Sequence, residues 1–169
     1  MKSNITLIGM PGAGKSTTGI ILAKNLSLGF LDTDILIQIN RQKPLQKILD
    51  ERGHIYLREV EEDEIMKINI DGCVISTGGS AAYSERAMNH LREISTVIFL
   101  EVSFEELKRR INNFDSRGIA KSADQTFEDL YEERQILYKK YADITINAAE
   151  GSQDDVANLI AEKVVGLLG

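Results

Sequence analysis

Eight consecutive residues, Gly9-Met10-Pro11-Gly12-Ala13-Gly14-Lys15-Ser16, fit the pattern G-x-x-x-x-G-K-[ST] at every fixed position. Ile5-Thr6-Leu7-Ile8 ahead of it is a short apolar run of strand type. After Ser16, the residues Ile20, Ile21, Ala23, Lys24 and Leu26 predict a helix with an apolar face. Strand, loop and helix in this order build a cradle for phosphate. A polyphosphate needs several backbone N–H groups pointing inward, and Gly9, Gly12 and Gly14 let the chain curl close without Cβ clashes. Lys15 then reaches the β and γ phosphates, the Ser16 hydroxyl is placed to ligate Mg²⁺, and the helix directs its N-terminal partial positive charge at the anion. The alternative is a glycine-rich turn with no ligand.

A second cluster of polar residues follows the next strand candidate, Gly29-Phe30-Leu31. Asp32-Thr33-Asp34 places two carboxylates two residues apart at a strand's end, which in a parallel sheet is where ligands sit. Asp32 is suited to hold a Mg²⁺-bound water, and Asp34 to accept or orient the proton of an attacking hydroxyl. The competing role for Asp34 is the cap of a helix beginning Ile35-Leu36-Ile37.

From Ile35 to Ile70 the pattern is helical, with breaks at Pro44 and at Gly53-His54. The last of these helices, Tyr56 to Ile68, is crowded with carboxylates, and Arg58 within it would in the ordinary case form an exposed ion pair with Glu61 or Glu62. Cys73 to Thr77 is a strand candidate followed by Gly78-Gly79-Ser80, which either presents N–H groups to a ligand or simply turns into a helix around Ser84-Glu85-Arg86. Thr96 to Leu100 predicts a buried strand, and Ser103 with Glu106 predicts a capping box opening a helix from Phe104 to Ile111. The polar stretch from about 112 to 125 reads as a mobile lid, in which Arg117 either folds over the γ-phosphate or stays a solvated loop arginine. Thr126 and Asp129 open another helix, reaching Ala142, that puts Arg134 and Tyr138 on one face. Ile144 to Asn147 is a last strand, and Ser152 to Leu168 an amphipathic helix with Val156, Leu159, Ile160, Val164, Leu167 and Leu168 on its apolar side. Five strands alternating with helices predict an α/β fold, a parallel sheet with helices on both faces.

Composition bounds the partners. The 169 residues suit a single domain, and 43% hydrophobic with 27% charged content is that of a soluble globule. A net charge of −6 without a block of Lys and Arg argues against nucleic-acid binding, so an anionic substrate must be held by a few placed cations. Cys73 is alone, which excludes an intramolecular disulfide and suits a reducing cytosol. No stretch has the length of a membrane span or of a signal peptide's apolar region, so a cytoplasmic protein is expected. His54 and His90 stand apart from other ligand types, which argues against a zinc site.

With these residues in view, the chain resembles the shikimate kinase family of P-loop kinases over almost its full length. The resemblance rests on Gly9 to Thr17, Asp32-Thr33-Asp34, Leu57-Arg58-Glu59-Val60-Glu61 for a Phe-Arg-x-x-Glu pattern, Thr77-Gly78-Gly79, Arg117, and Glu133-Arg134-x-x-x-Tyr138. It implies ATP binding by Gly12, Ala13, Gly14, Lys15, Ser16, Thr17, Arg110 and Arg117, with Arg110 against adenine and the loop after Asn147 bordering the base. It further implies acceptor binding by Asp34, Arg58, Gly79 and Arg134, a Mg²⁺ site at Ser16 and Asp32, and catalytic roles for Lys15, Asp34 and Arg117. The implied domain is one P-loop kinase unit over 1–169, with an acceptor-binding helical insertion at about 34–70, acting as a monomer on ATP and a small hydroxy acid.

Three positions depart from the family pattern: Ser80 and Gly118 replace a glycine and a proline, and a glycine is missing near Arg41. Ser80, beside the acceptor pocket, leaves gluconate-like acids and homoserine as alternative acceptors. A nucleotide-binding regulator without an acceptor site is the alternative from another class. Joint retention of Asp34, Arg58 and Arg134 favours the enzyme.

Overall fold

Five apolar runs pair side by side as parallel strands: β1 (Asn4–Ile8), β2 (Gly29–Asp32), β3 (Cys73–Ser76), β4 (Ser95–Glu101) and β5 (Ile144–Asn147), in spatial order β2-β3-β1-β4-β5. The computed structural model describes residues 2–111 and 119–168, the last two without their side chains. Among the described residues seven helices connect and follow the strands: α1 (Lys15–Leu26), α2 (Thr33–Arg41), α3 (Leu45–Met66), α4 (Glu85–Ile94), α5 (Phe104–Arg110), α6 (Phe127–Tyr141) and α7 (Gln153–Leu168). A 3₁₀ turn, Ala81–Tyr83, precedes α4.

The register decides where a site can form. Asp32 lies opposite Ser76, and Ser76 opposite Leu7, so the carboxyl ends of β2, β3 and β1 fall on one edge of the sheet. From β1 the chain crosses to β2 at one edge, returns to β3 and then passes β1 to reach β4, the reversal of strand order at which open parallel sheets place their ligands.

Both faces of the sheet are covered, as a parallel sheet requires. α1 packs on the face that carries Leu7: a Cβ at Gly19 would lie 3.3 Å from Leu7 Cδ1 and 2.7 Å from Phe30 Cε2. On the opposite face the Thr6 hydroxyl pairs with Ser95 Oγ at 2.7 Å, and Ser95 in turn donates to the Leu91 carbonyl of α4 at 2.6 Å. α7 lies against α1, and Leu22, Val74, Met88, Phe99 and Ile160 belong to one continuous core. A smaller core of Ile37, Ile48, Leu57, Val60 and Ala120 holds α2 and α3 together and reaches into the stretch expected as the lid.

Several helices differ from their sequence patterns for local reasons. In α1 the buried face is Thr18, Gly19, Leu22 and Ala23, whereas Ile20 is 55% exposed, because the Phe30 ring fills the space a side chain at Gly19 would need. In α7 Leu159 is 39% exposed, and Ala157 joins Val156, Ile160 and Val164 inside. Ser103 caps α5 through the Glu106 N–H at 3.3 Å, but the Glu106 carboxylate turns to Arg109 and Arg110 rather than completing a box. Thr126 and Asp129 do complete theirs on α6. The breaks at Pro44 and Gly53 appear as expected: Pro44 caps α3, and Gly53 at φ 81°, ψ 174° kinks it. Beside Arg41, Gln42 takes φ 53° at the end of α2, the left-handed conformation that a glycine nearby would relieve.

Candidate active site

The phosphate loop runs from the end of β1 to the start of α1, and Gly12 and Gly14 sit at φ 85° and 90°, where a Cβ is strained. Lys15 is buried, and its ammonium donates to the carbonyls of Gly9 at 2.6 Å and Met10 at 2.9 Å. Burial lowers its pKa to about 8 against the opposing pull of Asp34. The Ser16 hydroxyl donates to Asp32 Oδ2 at 2.6 Å, so two hard oxygen donors from separate elements meet at the mouth of the loop.

Asp32, and not Asp34, caps α2. The helix begins at Thr33, and Asp32 Oδ1 accepts from the N–H groups of Asp34 at 2.9 Å and Ile35 at 3.3 Å. The Asp34 carboxylate is thereby free to line the cleft, where burial and the charge of Asp32 raise its pKa to about 6 while Lys15 opposes. Glu61 of α3 faces it. A Cβ at Gly78 would lie 2.3 Å from Glu61 Oε1 and 2.6 Å from Asp34 Oδ1, so the absence of a side chain at Gly78 is what lets the two carboxylates converge. Burial and Asp34 raise the Glu61 pKa to about 7, against the Ser80 hydroxyl bonded to Oε2 and the charges of Arg134 and Lys15. Oε1 of Glu61 is buried with no hydrogen-bond partner. The side chain of Ser80 is thus turned onto Glu61.

These two raised carboxyl groups fix the sign of a pH effect on stability. Between their ordinary values and about 7 the folded chain holds more protons than the unfolded one, so stability falls as pH rises through that window. The shifts of Glu51, Glu106, Asp129 and Asp155 run the other way and act below the ordinary carboxylate range. The ligand-free melting temperature is expected to drop between pH 5 and 7, and to drop less in Glu61→Gln. An equally steep decline in that variant would contradict the placement of Glu61.

The two arginines meet at one oxygen. Arg134 of α6 is fully buried and its Nη2 donates to the Ala120 carbonyl at 2.8 Å, which Arg58 Nη2 approaches at 3.5 Å from α3. Among the described residues neither guanidinium has a carboxylate within ion-pair distance. The exposed pair expected for Arg58 does not form: Glu61 is taken by Ser80, and Glu62 by Ser84 and Arg86. Gly79 packs where a Cβ would lie 2.7 Å from Arg134 Nη1 and 2.9 Å from Pro11 Cδ, and its carbonyl accepts from Tyr138 at 2.5 Å. Arg110 ends α5 beside the strand-β5 loop, donating to Glu106 at 2.8 Å and to the Ala148 carbonyl at 3.0 Å. One cleft of about 760 Å³ is lined by Gly12 to Thr17, Asp34, Glu61, Gly79, Arg110, Arg134 and the start of α7. Arg117 and Gly118, with the first half of the expected lid, lie outside the described residues.

The family model described as shikimate kinase matches residues 11–165. The chain belongs to the shikimate kinase family. A shikimate kinase of Sulfurihydrogenibium sp. is 35% identical over 162 residues, 95% of this chain and 97% of that protein. One of Pasteurella multocida is 37% identical over 172 residues, 99% of this chain and 98% of that protein. The solved shikimate kinase from Acinetobacter baumannii in complex with shikimate superposes with a TM-score of 0.90 at 27% identity, covering 99% of this chain and 95% of its own. Shikimate kinases are small-molecule kinases that use ATP, and this chain is an enzyme of that class.

Within that family frame, two side chains stand in the site without a catalytic or binding role read from sequence. From the sequence Glu61 is an ion-pair partner for Arg58 and the end of a five-residue pattern, and no more, because its desolvation depends on Gly78 and Ser80 from another element. Nothing among the neighbours of Tyr83 along the chain points to the arginines it contacts.

Proposed function

We propose that this cleft transfers the γ-phosphoryl group of ATP to the 3-hydroxyl of shikimate, giving shikimate 3-phosphate for the route to aromatic amino acids. The observation that carries the reading is the convergence of Arg58 and Arg134 on a single oxygen while Asp34 faces the same cleft as the phosphate loop. Two guanidinium groups repel each other unless an oxygen anion lies between them, and a carboxylate matches their planar donors. In this reading the acceptor's carboxylate takes the place held by the Ala120 carbonyl, and Gly79 lets its ring approach closely. Asp34 receives the hydroxyl proton as the oxygen attacks phosphorus.

Gly12, Ala13, Gly14 and Thr17 border the phosphates, the Ala13 N–H closing the loop onto the Met10 carbonyl at 3.1 Å, and Lys15 leaves the Gly9 and Met10 carbonyls to stabilise the charge that develops on the phosphates. Ser16 and Asp32 fit Mg²⁺, since a hydroxyl and a carboxylate already in contact leave the remaining positions to phosphate and water. When bound, the ion neutralises the β and γ oxygens. Arg110 flanks the base and Arg117 covers the transferring group. We further propose that residues 1–169 act as one kinase domain, with α2 and α3 as the acceptor-binding insertion, working as a cytoplasmic monomer. Among the described residues no helix is long and apolar enough to cross a membrane.

Replacing either arginine by Lys keeps the charge and loses the fork. Acceptor KM is expected to rise about tenfold, equivalent to roughly 1.4 kcal/mol, in Arg58→Lys and in Arg134→Lys, with little change in the KM for ATP. Saturation curves for shikimate and ATP check this, and unchanged shikimate curves in both variants would remove the carboxylate clamp. Because Asp34 must be ionised to take a proton, and its pKa is raised to about 6, turnover is expected to fall as pH drops below about 6. A flat profile between pH 5 and 7 would argue against that role.

A further inference from the structure

The pair of arginines poses a problem before any acceptor arrives. Arg58 and Arg134 approach one carbonyl, the Nε atom of each is buried without a hydrogen-bond partner, and neither has a carboxylate at ion-pair distance among the described residues. Something else must hold the guanidinium planes. The ring of Tyr83 lies in the required place: its centroid is 3.6 Å from Arg58 Cζ and 5.4 Å from Arg134 Cζ. The ring is itself fixed from both ends. Its backbone closes the 3₁₀ turn through a Tyr83 N–H bond to the Ser80 carbonyl at 3.1 Å, and its hydroxyl donates to Glu133 on α6. One residue earlier in α3 than Arg58, where the family pattern has Phe, stands Leu57. The aromatic face against Arg58 comes from the turn that follows Gly78-Gly79-Ser80.

We propose that Tyr83 is a positioning residue for acceptor recognition, its ring face holding Arg58 and Arg134 ready for a planar carboxylate. The π face carries partial negative charge, which offsets the mutual repulsion of the cations, and the Tyr83 hydroxyl also interacts with Arg134. A carboxylate side chain in the same place would bind the guanidinium donors as an anion and compete with the acceptor, whereas a ring brings no competing anion. The inference rests on the carboxylate-clamp reading above and adds the element that preorganises it.

Two variants and two readouts test it. Tyr83→Leu removes the π face, whereas Tyr83→Phe keeps it and removes the hydroxyl with its contacts to Glu133 and Arg134. Acceptor KM is expected to rise about tenfold in Tyr83→Leu, with kcat and the KM for ATP within about twofold of wild type, and Tyr83→Phe is expected to stay within about twofold in all three. The second readout needs no acceptor. In the unliganded enzyme the Arg58 Nε–H proton resonance is expected to be displaced by the ring current of Tyr83, to stay displaced in Tyr83→Phe and to return to the ordinary arginine position in Tyr83→Leu. Wild-type turnover of shikimate is scored separately, so an error in the acceptor is told apart from an error about Tyr83. An undisplaced Arg58 resonance in the wild type would overturn the proposal whatever the acceptor. So would an unchanged acceptor KM in a folded Tyr83→Leu enzyme, or a Tyr83→Phe enzyme as impaired as Tyr83→Leu, which would assign the role to the hydroxyl and Glu133.

Discussion

Lys15→Ala is expected to reduce turnover to below about one-thousandth of wild type, because it deletes the only charge that the phosphate loop itself supplies to the β and γ phosphates. The loss amounts to several kcal/mol of transition-state stabilisation, on the order of 4. Burial makes the effect large: an ammonium held against loop carbonyls in a desolvated cleft acts at a lower effective dielectric than a surface lysine. Nucleotide affinity is expected to weaken as well, measured by titration with ATP. Since Lys15 also bonds Gly9 and Met10 in the ligand-free chain, circular dichroism and the melting temperature must show that the variant is folded. Near-normal turnover in a folded Lys15→Ala enzyme would contradict the reading of the loop.

Asp34→Asn is expected to lower kcat by about 10²-fold or more while leaving the KM for ATP nearly unchanged. Asparagine has almost the same shape and can still accept a hydrogen bond from a hydroxyl, but it takes no proton. The structure makes this a clean substitution, because Asp32 caps α2 and the Asp34 side chain bears no part of the helix start. Removing a half-desolvated carboxylate is expected to leave the melting temperature at pH 7 unchanged or raised. If Asp34→Asn instead left turnover intact and merely destabilised the fold, Asp34 would be a structural residue after all.

The parts of the fold that were legible in the sequence are those set by neighbours along the chain. The strand before the phosphate loop, the breaks at Pro44 and Gly53 and the helix start at Thr126 each follow from a few adjacent residues, and each formed where expected. Asp32 and Asp34 were ambiguous because a helix start displaced by two residues exchanges cap and free carboxylate, and only the hydrogen bonds decide between them. The expected ion pair of Arg58 failed for a different reason. Its carboxylate neighbours on α3 are claimed by Ser80, Ser84 and Arg86, which the sheet brings from beyond β3. Ile20 illustrates the same limit in the core: apolarity marked it for burial, but the absence of a side chain at Gly19 let Phe30 set the packing face. Pairings across many residues decided what local pattern left open. The raised pKa values of Asp34 and Glu61 likewise depend on how closely Gly78 lets two elements approach.

The most direct test of the account is release of ADP from the wild-type enzyme with saturating ATP and Mg²⁺, measured with shikimate, gluconate, homoserine and nucleoside monophosphates in turn and with no acceptor. The account predicts ADP release that depends on shikimate, saturates with its concentration and yields one phosphorylated product, with far slower release in every other case. ADP release that shikimate leaves unchanged, or that gluconate or homoserine raises more than shikimate does, would contradict it.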